Sequence, residues 1–134
     1  MFNQDLPIDE EVPPELTPLR EPTLFILLAL SKGRKHGYAI LKDVEALSEG
    51  RVVLSTGTLY GALARLMKQG VIRKSHADSG EHCSISKSRS VDADGRVRKY
   101  YELTQLGHRV LDVEIKRMGT ILAVVSRELG EQGI

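Results

Sequence analysis

The sequence predicts a mainly α-helical fold with one small β-hairpin and a long helix at its C-terminal end. Three observations support this fold class. Three segments between residues 22 and 69 carry apolar residues at helical spacing. Two segments rich in β-branched and aromatic residues follow them, as is typical of strands. The final segment, from residue 104 onward, repeats apolar residues every three or four positions.

Composition narrows the class of protein. The 134 residues, 41% of them hydrophobic, suffice for one domain core but hardly for two. A single cysteine excludes a disulfide framework and favours a reducing cytoplasm. The N-terminus lacks the basic-then-apolar order of a signal peptide, and the longest apolar run, residues 24–30, is too short to cross a bilayer. We therefore expect a cytoplasmic protein that does not insert into a membrane.

Charge is unevenly distributed along the chain, although the net charge is only +1. Residues 1–16 carry five carboxylates and no lysine or arginine, which predicts a flexible acidic arm without a core of its own. Residues 51–101 carry ten basic and four acidic side chains, a net charge of +6. Such a segment suits a polyanionic partner such as a nucleic acid. On charge alone, a basic surface that is merely solvated explains the pattern equally well.

The first two predicted helices differ in their apolar pattern. The first begins at Pro22, whose missing N–H suits a first helical turn, and stops before Gly33. It is apolar on every side, so we expect one face to pack on its own domain and another to pack on a further surface. The second helix follows the turn at residues 32–37 and ends near Gly50. Its apolar stripe consists of Ile40, Leu41, Val44 and Leu47.

The third predicted helix has two different faces. Ser55 is a suitable N-cap for it, and Gly70 is a suitable residue to end it. One face is apolar and consists of Leu59, Leu63, Leu66 and Met67. The opposite face is small at its start and basic at its end, and it consists of Gly57, Gly61, Ala64, Arg65 and Lys68. Because solvent-exposed faces usually carry long charged side chains, this face predicts the close approach of a partner.

Two strands, at residues 71–76 and 97–103, are predicted to form the hairpin. Tyr100 and Tyr101 are consecutive in the second strand, so one should face the core and the other should face outward. The residues between the strands include two glycines and five serines, which predicts a long, mobile hairpin tip.

The last helix is predicted to begin after Thr104, a suitable N-cap. Its apolar residues form a seam with the 3.5-residue period of coiled coils, which consists of Leu111, Ile115, Met118, Leu122, Val125 and Leu129. We expect this seam to pair with another chain. The alternative is that it folds back on its own core.

Three helices followed by a hairpin is the element order of a winged helix-turn-helix, in which the third helix enters the DNA major groove. We therefore divide the chain into an acidic arm (1–16), a winged helix-turn-helix domain (17–103) whose wing tip spans 77–96, and a C-terminal dimerisation helix (104–134). The residues expected to contact double-stranded DNA are Ser55, Thr56, Gly57, Thr58, Tyr60, Gly61, Arg65 and Lys68 on the third helix, Lys42 on the second helix, and Lys74, Arg98 and Lys99 on the hairpin.

Three blocks of the sequence resemble the PadR-like family of bacterial transcriptional regulators: HGYAI (36–40), STGTLYGALARLMKQGVI (55–72) and RKYYELTQLGHRVL (98–111). The resemblance implies a homodimeric repressor that binds a pseudo-palindromic operator and is held together by its first and last helices. The implied interface consists of Leu24, Phe25 and Leu28 together with the seam of the last helix.

The resemblance also implies, for some members, release from DNA when a small aromatic or amphipathic effector binds near the dimer interface. The candidate lining residues are Phe25, Met118, Ile121 and Leu122, and core packing is the alternative role for each. The sequence departs from the family pattern at Gly61, where proline is common, and in its longer wing tip.

Other candidate sites give weaker patterns. His76, His82 and Cys83 lie close in sequence, but zinc sites usually contain tighter pairs and a fourth ligand is not evident, so we expect no metal. Cys83 alone is a candidate oxidant sensor. For Tyr38 we expect a structural role, packing the second helix on the core, with DNA contact as the alternative.

No motif of a catalytic site is evident, so we expect neither an enzyme nor a cofactor. The main hypothesis is thus a DNA-binding transcriptional regulator. Its rival is a winged-helix module that binds another protein and does not bind DNA. A third possibility is a small-molecule sensor whose DNA binding is residual.

Overall fold

The computed structural model describes residues 12–76 and 99–130, and its elements follow the predicted order. A short 3₁₀ helix, Pro14–Leu16, comes first. The remaining elements are α1 (Glu21–Leu30), β1 (Lys35–His36), α2 (Gly37–Leu47), α3 (Thr56–Lys68), β2 (Ile72–His76), β3 (Lys99–Leu103) and α4 (Gln105–Gly130). The mainly α-helical class with a small sheet and a long C-terminal helix is therefore confirmed.

The sheet has three antiparallel strands in the order β1-β3-β2, where the sequence predicted only two strands. Strand β1 adds Lys35 and His36 opposite Tyr101 and Tyr100. Strand β2 pairs with β3 over five residues, from Ile72 opposite Leu103 to His76 opposite Lys99. The predicted wing tip, residues 77–96, and the first two residues of the predicted second strand lie outside the described residues.

One hydrophobic core joins all three of the first helices, the sheet and the start of α4. Full burial of one Leu or Ile side chain stabilises the folded state by about 1.5–3 kcal/mol. The buried apolar residues of this core therefore provide most of the energy that fixes the orientation of the helices. The most deeply buried side chains are Ile26 and Leu27 of α1, Ile40 and Val44 of α2, Leu59 and Leu63 of α3, Ile72 of β2 and Val110 of α4.

The caps of α3 and α4 are formed by the predicted residues. The Ser55 hydroxyl accepts a hydrogen bond from the Thr58 backbone N–H at 3.1 Å. Gly70 ends α3 with a φ of 79°, a value that glycine adopts without strain. The Thr104 hydroxyl accepts from the Gly107 N–H at 3.0 Å and donates to the Gly70 carbonyl oxygen at 2.6 Å. Thr104 therefore ties the start of α4 to the end of α3.

The segment before α1 is packed on the domain from its first described residues. Leu16 is buried in the core, and Val12 packs against it. The Leu19 backbone N–H donates to a Glu114 carboxylate oxygen of α4 at 3.2 Å. The end of the predicted arm is thus attached to the folded domain, and residues 1–11 of that arm lie outside the described residues.

Among the described residues, no helix is both long enough and apolar enough to cross a membrane.

Candidate nucleic-acid interface

The predicted outward face of α3 is exposed along its whole length. Its inner face is held in the core by Leu59, Leu63 and Leu66, which fixes the direction of the opposite face. All of the α3 residues predicted to contact DNA are exposed, together with the cap residue: Ser55, Thr56, Gly57, Thr58, Tyr60, Gly61, Arg65 and Lys68. Helix α3 contains no carboxylate side chain, so the exposed charge of this face is entirely positive.

Tyr60 is held against two other elements although 44% of its surface is exposed. Its ring meets that of Tyr101 edge to face, with 6.5 Å between the ring centroids. On the other side, a β-carbon placed on Gly37 would lie 2.1 Å from the Tyr60 hydroxyl oxygen. Only a glycine at position 37 leaves room for Tyr60 in this position. The sequence analysis treated Gly37 as a turn residue and did not detect this contact.

Tyr101 is buried and Tyr100 is half-buried, as the alternation along β3 predicted. Burial raises the pKa of the Tyr101 phenol, and the neighbouring Tyr60 phenol contributes a smaller effect in the same direction. Tyr101 therefore remains neutral at physiological pH and contributes to the link between α3 and the sheet through packing.

The expected core role of Tyr38 is wrong, because 63% of the Tyr38 surface is exposed. Tyr38 is the second residue of α2, and the core-facing stripe of this helix begins at Ile40 instead. The Lys42 ammonium lies 5.6 Å from the centroid of the Tyr38 ring, a cation–π contact on the same exposed side of α2. Lys42 is thus exposed, as the predicted phosphate contact requires, and Tyr38 extends the exposed surface beside it.

The basic residues of the sheet differ in their availability. Lys74 and Lys99 are exposed. Arg73 pairs across the two strands with Glu102, with 2.7 Å between Nε and the carboxylate oxygen, so its charge is partly neutralised. Arg34, next to β1, donates to the Ser75 hydroxyl at 3.1 Å and lies over the Tyr100 ring. Arg98, a predicted DNA contact, lies outside the described residues.

Arg65 and Lys68 form no ion pair within the described part of the chain. The positive charge at the end of α3 is therefore available to an external anion.

The residues predicted for the dimer interface fall into two groups. Leu24, Phe25 and Leu28 of α1 are half-buried at the edge of the core. Leu111 belongs to the core of its own domain. The rest of the seam projects from the domain on α4: Met118 is half-buried, and the exposed members are Ile115, Leu122, Val125 and Leu129. In the described part of one chain, the seam beyond residue 114 is not folded back into the core.

The structure forms a cavity at the end of α3, and the predicted effector residues do not line it. Ile121 and Leu122 are exposed on α4, and Phe25 and Met118 are half-buried. That cavity lies instead between the segment before α1, α3 and the start of α4. Of the three candidate metal ligands, only His76 falls within the described residues, and the described residues contain no cluster suited to a metal ion.

The matches to curated proteins cover only part of this chain and part of each relative. A 37.1 kDa protein in a transposon of Streptomyces fradiae is 46% identical over 50 residues, which is 37% of this chain. The match spans only 14% of that relative's length.

Solved structures share the fold at low sequence identity. A PadR family transcription regulator from hypervirulent Clostridium difficile has a TM-score of 0.60 and 24% identity, over 82% of this chain and 99% of the other. A transcriptional regulator from Clostridium thermocellum has a TM-score of 0.57 and 22% identity, over 95% of this chain and 97% of the other.

The sequence model of the Transcriptional regulator PadR-like family matches residues 26–84, which include the second half of α1 and all of α2, α3 and β2. These are the elements that form the exposed basic face and hold it in place. Over these residues the chain is similar to the PadR-like family of transcriptional regulators, whose members regulate transcription and are not enzymes.

Proposed function

We propose that this chain is a repressor that binds a pseudo-palindromic DNA operator as a homodimer in the cytoplasm. The observation that carries the proposal is the outward face of α3, which is exposed, free of carboxylates, small near residue 57 and basic at Arg65 and Lys68. DNA is the partner that such a face fits best, because phosphates attract its charge and the groove admits its small residues.

The dimensions of α3 support insertion into the major groove. Thirteen residues at 1.5 Å per residue give a helix roughly 20 Å long, and the groove is about 12 Å wide. The glycines at positions 57 and 61 let the backbone approach base edges. The exposed N-terminus of α3, capped by Ser55, presents backbone N–H groups that suit a phosphate.

The long C-terminal helix supports the homodimer. Its apolar residues from Ile115 to Leu129 repeat at coiled-coil spacing and are exposed in one chain. Exposed apolar residues of this extent usually mark a protein interface. A two-fold dimer would present two copies of α3 to successive major-groove segments, about 34 Å apart, which requires an operator with matching symmetry.

Release of the operator by a small hydrophobic or aromatic effector is part of the proposal. The residues assigned to it, Phe25, Met118, Ile121 and Leu122, lie on the two helices assigned to the dimer interface. A molecule bound among them would alter the spacing of the two α3 helices and thereby weaken binding to both half-sites.

A fluorescence-anisotropy titration tests the proposal. The duplex comes from the promoter of the protein's own gene, and a random duplex of equal length is the control. Tight binding that prefers the promoter and weakens steeply with salt is expected. If duplex DNA does not bind even at low salt, the rival role as a protein-binding module replaces this one.

A further inference from the structure

The acidic arm joins the folded domain beside the end of α3. Leu16 is buried in the core, and the Leu19 backbone N–H donates to the Glu114 carboxylate, so the arm is attached to the domain at this point. Glu15 of the arm and Arg65 of α3 are both exposed and line the same cavity. The rest of the arm therefore starts next to the last turns of α3.

The surface at the end of α3 is positively charged and partly apolar. Arg65 and Lys68 are exposed and form no ion pair within the described residues. Together with Ala64 and Met67 they line a shallow depression of about 570 Å³. We call these four residues the basic end of α3. Such a surface favours an acidic segment that also carries apolar side chains.

The arm has the matching composition and a sufficient length. Residues 1–11 carry four carboxylates and no lysine or arginine, and Leu6 and Ile8 lie between Asp5 and Asp9. An extended chain spans about 3.3–3.6 Å per residue, so residues 1–11 reach up to roughly 36 Å. The 13 residues of α3 span only roughly 20 Å. The arm can therefore reach the basic end of α3 from its point of attachment.

We propose that the acidic arm binds the basic end of α3 in the same chain and competes there with DNA. Its carboxylates pair with Arg65 and Lys68, and the side chains of Leu6 and Ile8 cover the depression. Exposed ion pairs are individually weak, but the attachment keeps the arm at a high effective concentration. The contact itself rests on the described surface and the sequence of the arm, whereas the competition rests on the proposed function.

The competition has a specific thermodynamic signature. Only the fraction of the protein whose α3 is not covered by the arm can bind DNA, so the arm lowers the apparent affinity by that fraction. This fraction is a property of the free protein. The arm should therefore weaken binding to the promoter duplex and to the random duplex by the same factor.

An NMR measurement on the full-length protein without DNA tests the contact. Cys83→Ser and Asn3→Cys together allow a nitroxide spin label to be attached to the arm alone. At low salt the label should broaden the backbone amide signals of residues 64–69. At about 1 M salt, where charges are screened beyond about 3 Å, the broadening should disappear.

Two further variants of the labelled protein make the test specific for charge. Glu10→Gln with Glu11→Gln should reduce the broadening at low salt. Asp112→Asn with Glu128→Gln changes the net charge equally, through two exposed carboxylates of α4, and should leave the broadening as it was.

Three outcomes would overturn the contact. The first is no broadening of residues 64–69. The second is broadening that is equal in all of these proteins and at both salt concentrations, which would reflect only the nearby attachment of the arm. The third is broadening in isotope-labelled chains that carry no spin label when they are paired with spin-labelled chains, which would place the arm on the partner.

DNA binding gives a separate readout of the competition. Without the spin label, Glu10→Gln with Glu11→Gln should bind both duplexes about twofold to fivefold more tightly than the wild-type protein at low salt. The control pair on α4 should gain much less. A variant that loses the arm contact without gaining DNA affinity would overturn the competition and leave the contact standing. An arm contact in a protein that never binds DNA would instead refute the proposed function.

Discussion

At the scale of single residues, the structure separates two kinds of basic group on α3. Arg65 lies beside a cavity, while Lys68 is one turn closer to the end of the helix. An arginine can form paired hydrogen bonds to a guanine edge, whereas a lysine acts as a point charge toward phosphate. The two side chains should therefore contribute differently to specificity.

We expect Arg65→Ala to weaken operator binding by about 1–3 kcal/mol and to weaken binding to random DNA much less, because it removes the proposed base contact. Lys68→Ala is the matched control. It should weaken binding to both duplexes by a similar amount and should reduce the slope of log affinity against log salt concentration by about 1. Anisotropy titrations over a salt series measure both quantities. An equal loss on both duplexes for Arg65→Ala would make this residue a phosphate contact.

Gly37→Ala tests whether Tyr60 sets the position of the α3 face that we propose contacts DNA. The new β-carbon would lie 2.1 Å from the Tyr60 hydroxyl oxygen, so the ring must leave its place against Tyr101. DNA affinity should fall, while the free energy of unfolding should change by less than about 1 kcal/mol, since the displaced ring is partly exposed and alanine favours the helix.

The Tyr60→Ala background provides the control for this substitution. Without the ring there is nothing to displace, so Gly37→Ala should have no further effect on DNA affinity. The coupling between the two substitutions should lie within about 0.5–3 kcal/mol, as for other residues in contact. Additive losses in this double-mutant cycle would mean that Gly37 acts independently of Tyr60.

Sequence periodicity predicted which residues of α3 face outward, because burial of one helix face determines the direction of the other. It did not predict the packing of Tyr60 on Gly37, since 23 positions separate them and no local pattern encodes the contact. It misplaced Tyr38 because a large aromatic residue was assumed to be buried. The start of α2 directs this side chain to solvent.

At the scale of secondary-structure elements, α4 has two parts with different environments. Its first turns pack on the domain through Val110 and Leu111. Gly107 lies so close to the residue before strand β2 that a β-carbon there would meet the Val71 carbonyl oxygen at 2.2 Å. Its remaining turns project from the domain with their apolar seam exposed. This division suggests that the first part fixes the direction of the helix and the second part binds a partner.

Leu122→Glu should convert the proposed dimer into a monomer. The leucine is 64% exposed in one chain and belongs to the seam, so a carboxylate there would be buried without a partner in the dimer. Sedimentation velocity measures the change in mass. Thr120→Glu, on the opposite side of α4, is the control and should remain dimeric; a dimeric Leu122→Glu protein would rule out the seam as the interface.

Strand β1 is the element of the sheet that the sequence analysis did not predict. Two residues are too few to display the alternation that identifies a strand, and they become a strand only because β3 offers them backbone partners. The longer elements were predicted correctly, because each one carries its own periodic pattern and a suitable cap residue. The cap at Thr104 is an example, since its hydroxyl holds the first turn of α4.

At the scale of the whole molecule, a buried carboxylate joins the two ends of the described chain. Glu114 on α4 is 1% exposed and accepts a hydrogen bond from the Leu19 backbone N–H ahead of α1. The Arg117 guanidinium donates to both carboxylate oxygens, at 2.6 and 3.1 Å. The hydrogen bond from Arg117 is the main reason that the pKa of Glu114 lies below its usual range; burial opposes this shift, and the Leu19 N–H adds to it.

Glu114→Gln should lower the free energy of unfolding by about 1–3 kcal/mol at pH 7, because a charged hydrogen-bond acceptor is lost. The folded pKa is below the unfolded value of about 4.3, so the stabilisation is complete above that value and disappears as the pH falls through the folded pKa. The difference between the two proteins should therefore narrow in acid. Urea unfolding at several pH values measures it.

Asp112→Asn is the matched control on the same helix. Asp112 pairs with Lys116 at 3.4 Å in an exposed pair, so its loss should cost only about 0.3–0.5 kcal/mol. If Glu114→Gln and Asp112→Asn destabilise the protein equally at pH 7, the buried carboxylate does not hold α4 against the segment before α1.

The overall fold was predictable because element order alone indicated a winged helix-turn-helix and the sequence blocks agreed with it. The junction at Glu114 was not, because it joins residues 95 positions apart. The cavity beside Arg65 was missed for the same reason. Sequence patterns describe single elements well, whereas sites formed between distant elements need their relative placement.

The most direct test of the account is whether α3 reads a specific DNA sequence. The measurement is an anisotropy titration of the promoter duplex and a random duplex with the wild-type protein and with Arg65→Ala, over a salt series. The account predicts that the wild-type protein prefers the promoter and that Arg65→Ala removes most of that preference while retaining salt-dependent binding. Wild-type binding that is equal on both duplexes, or absent at low salt, would contradict it.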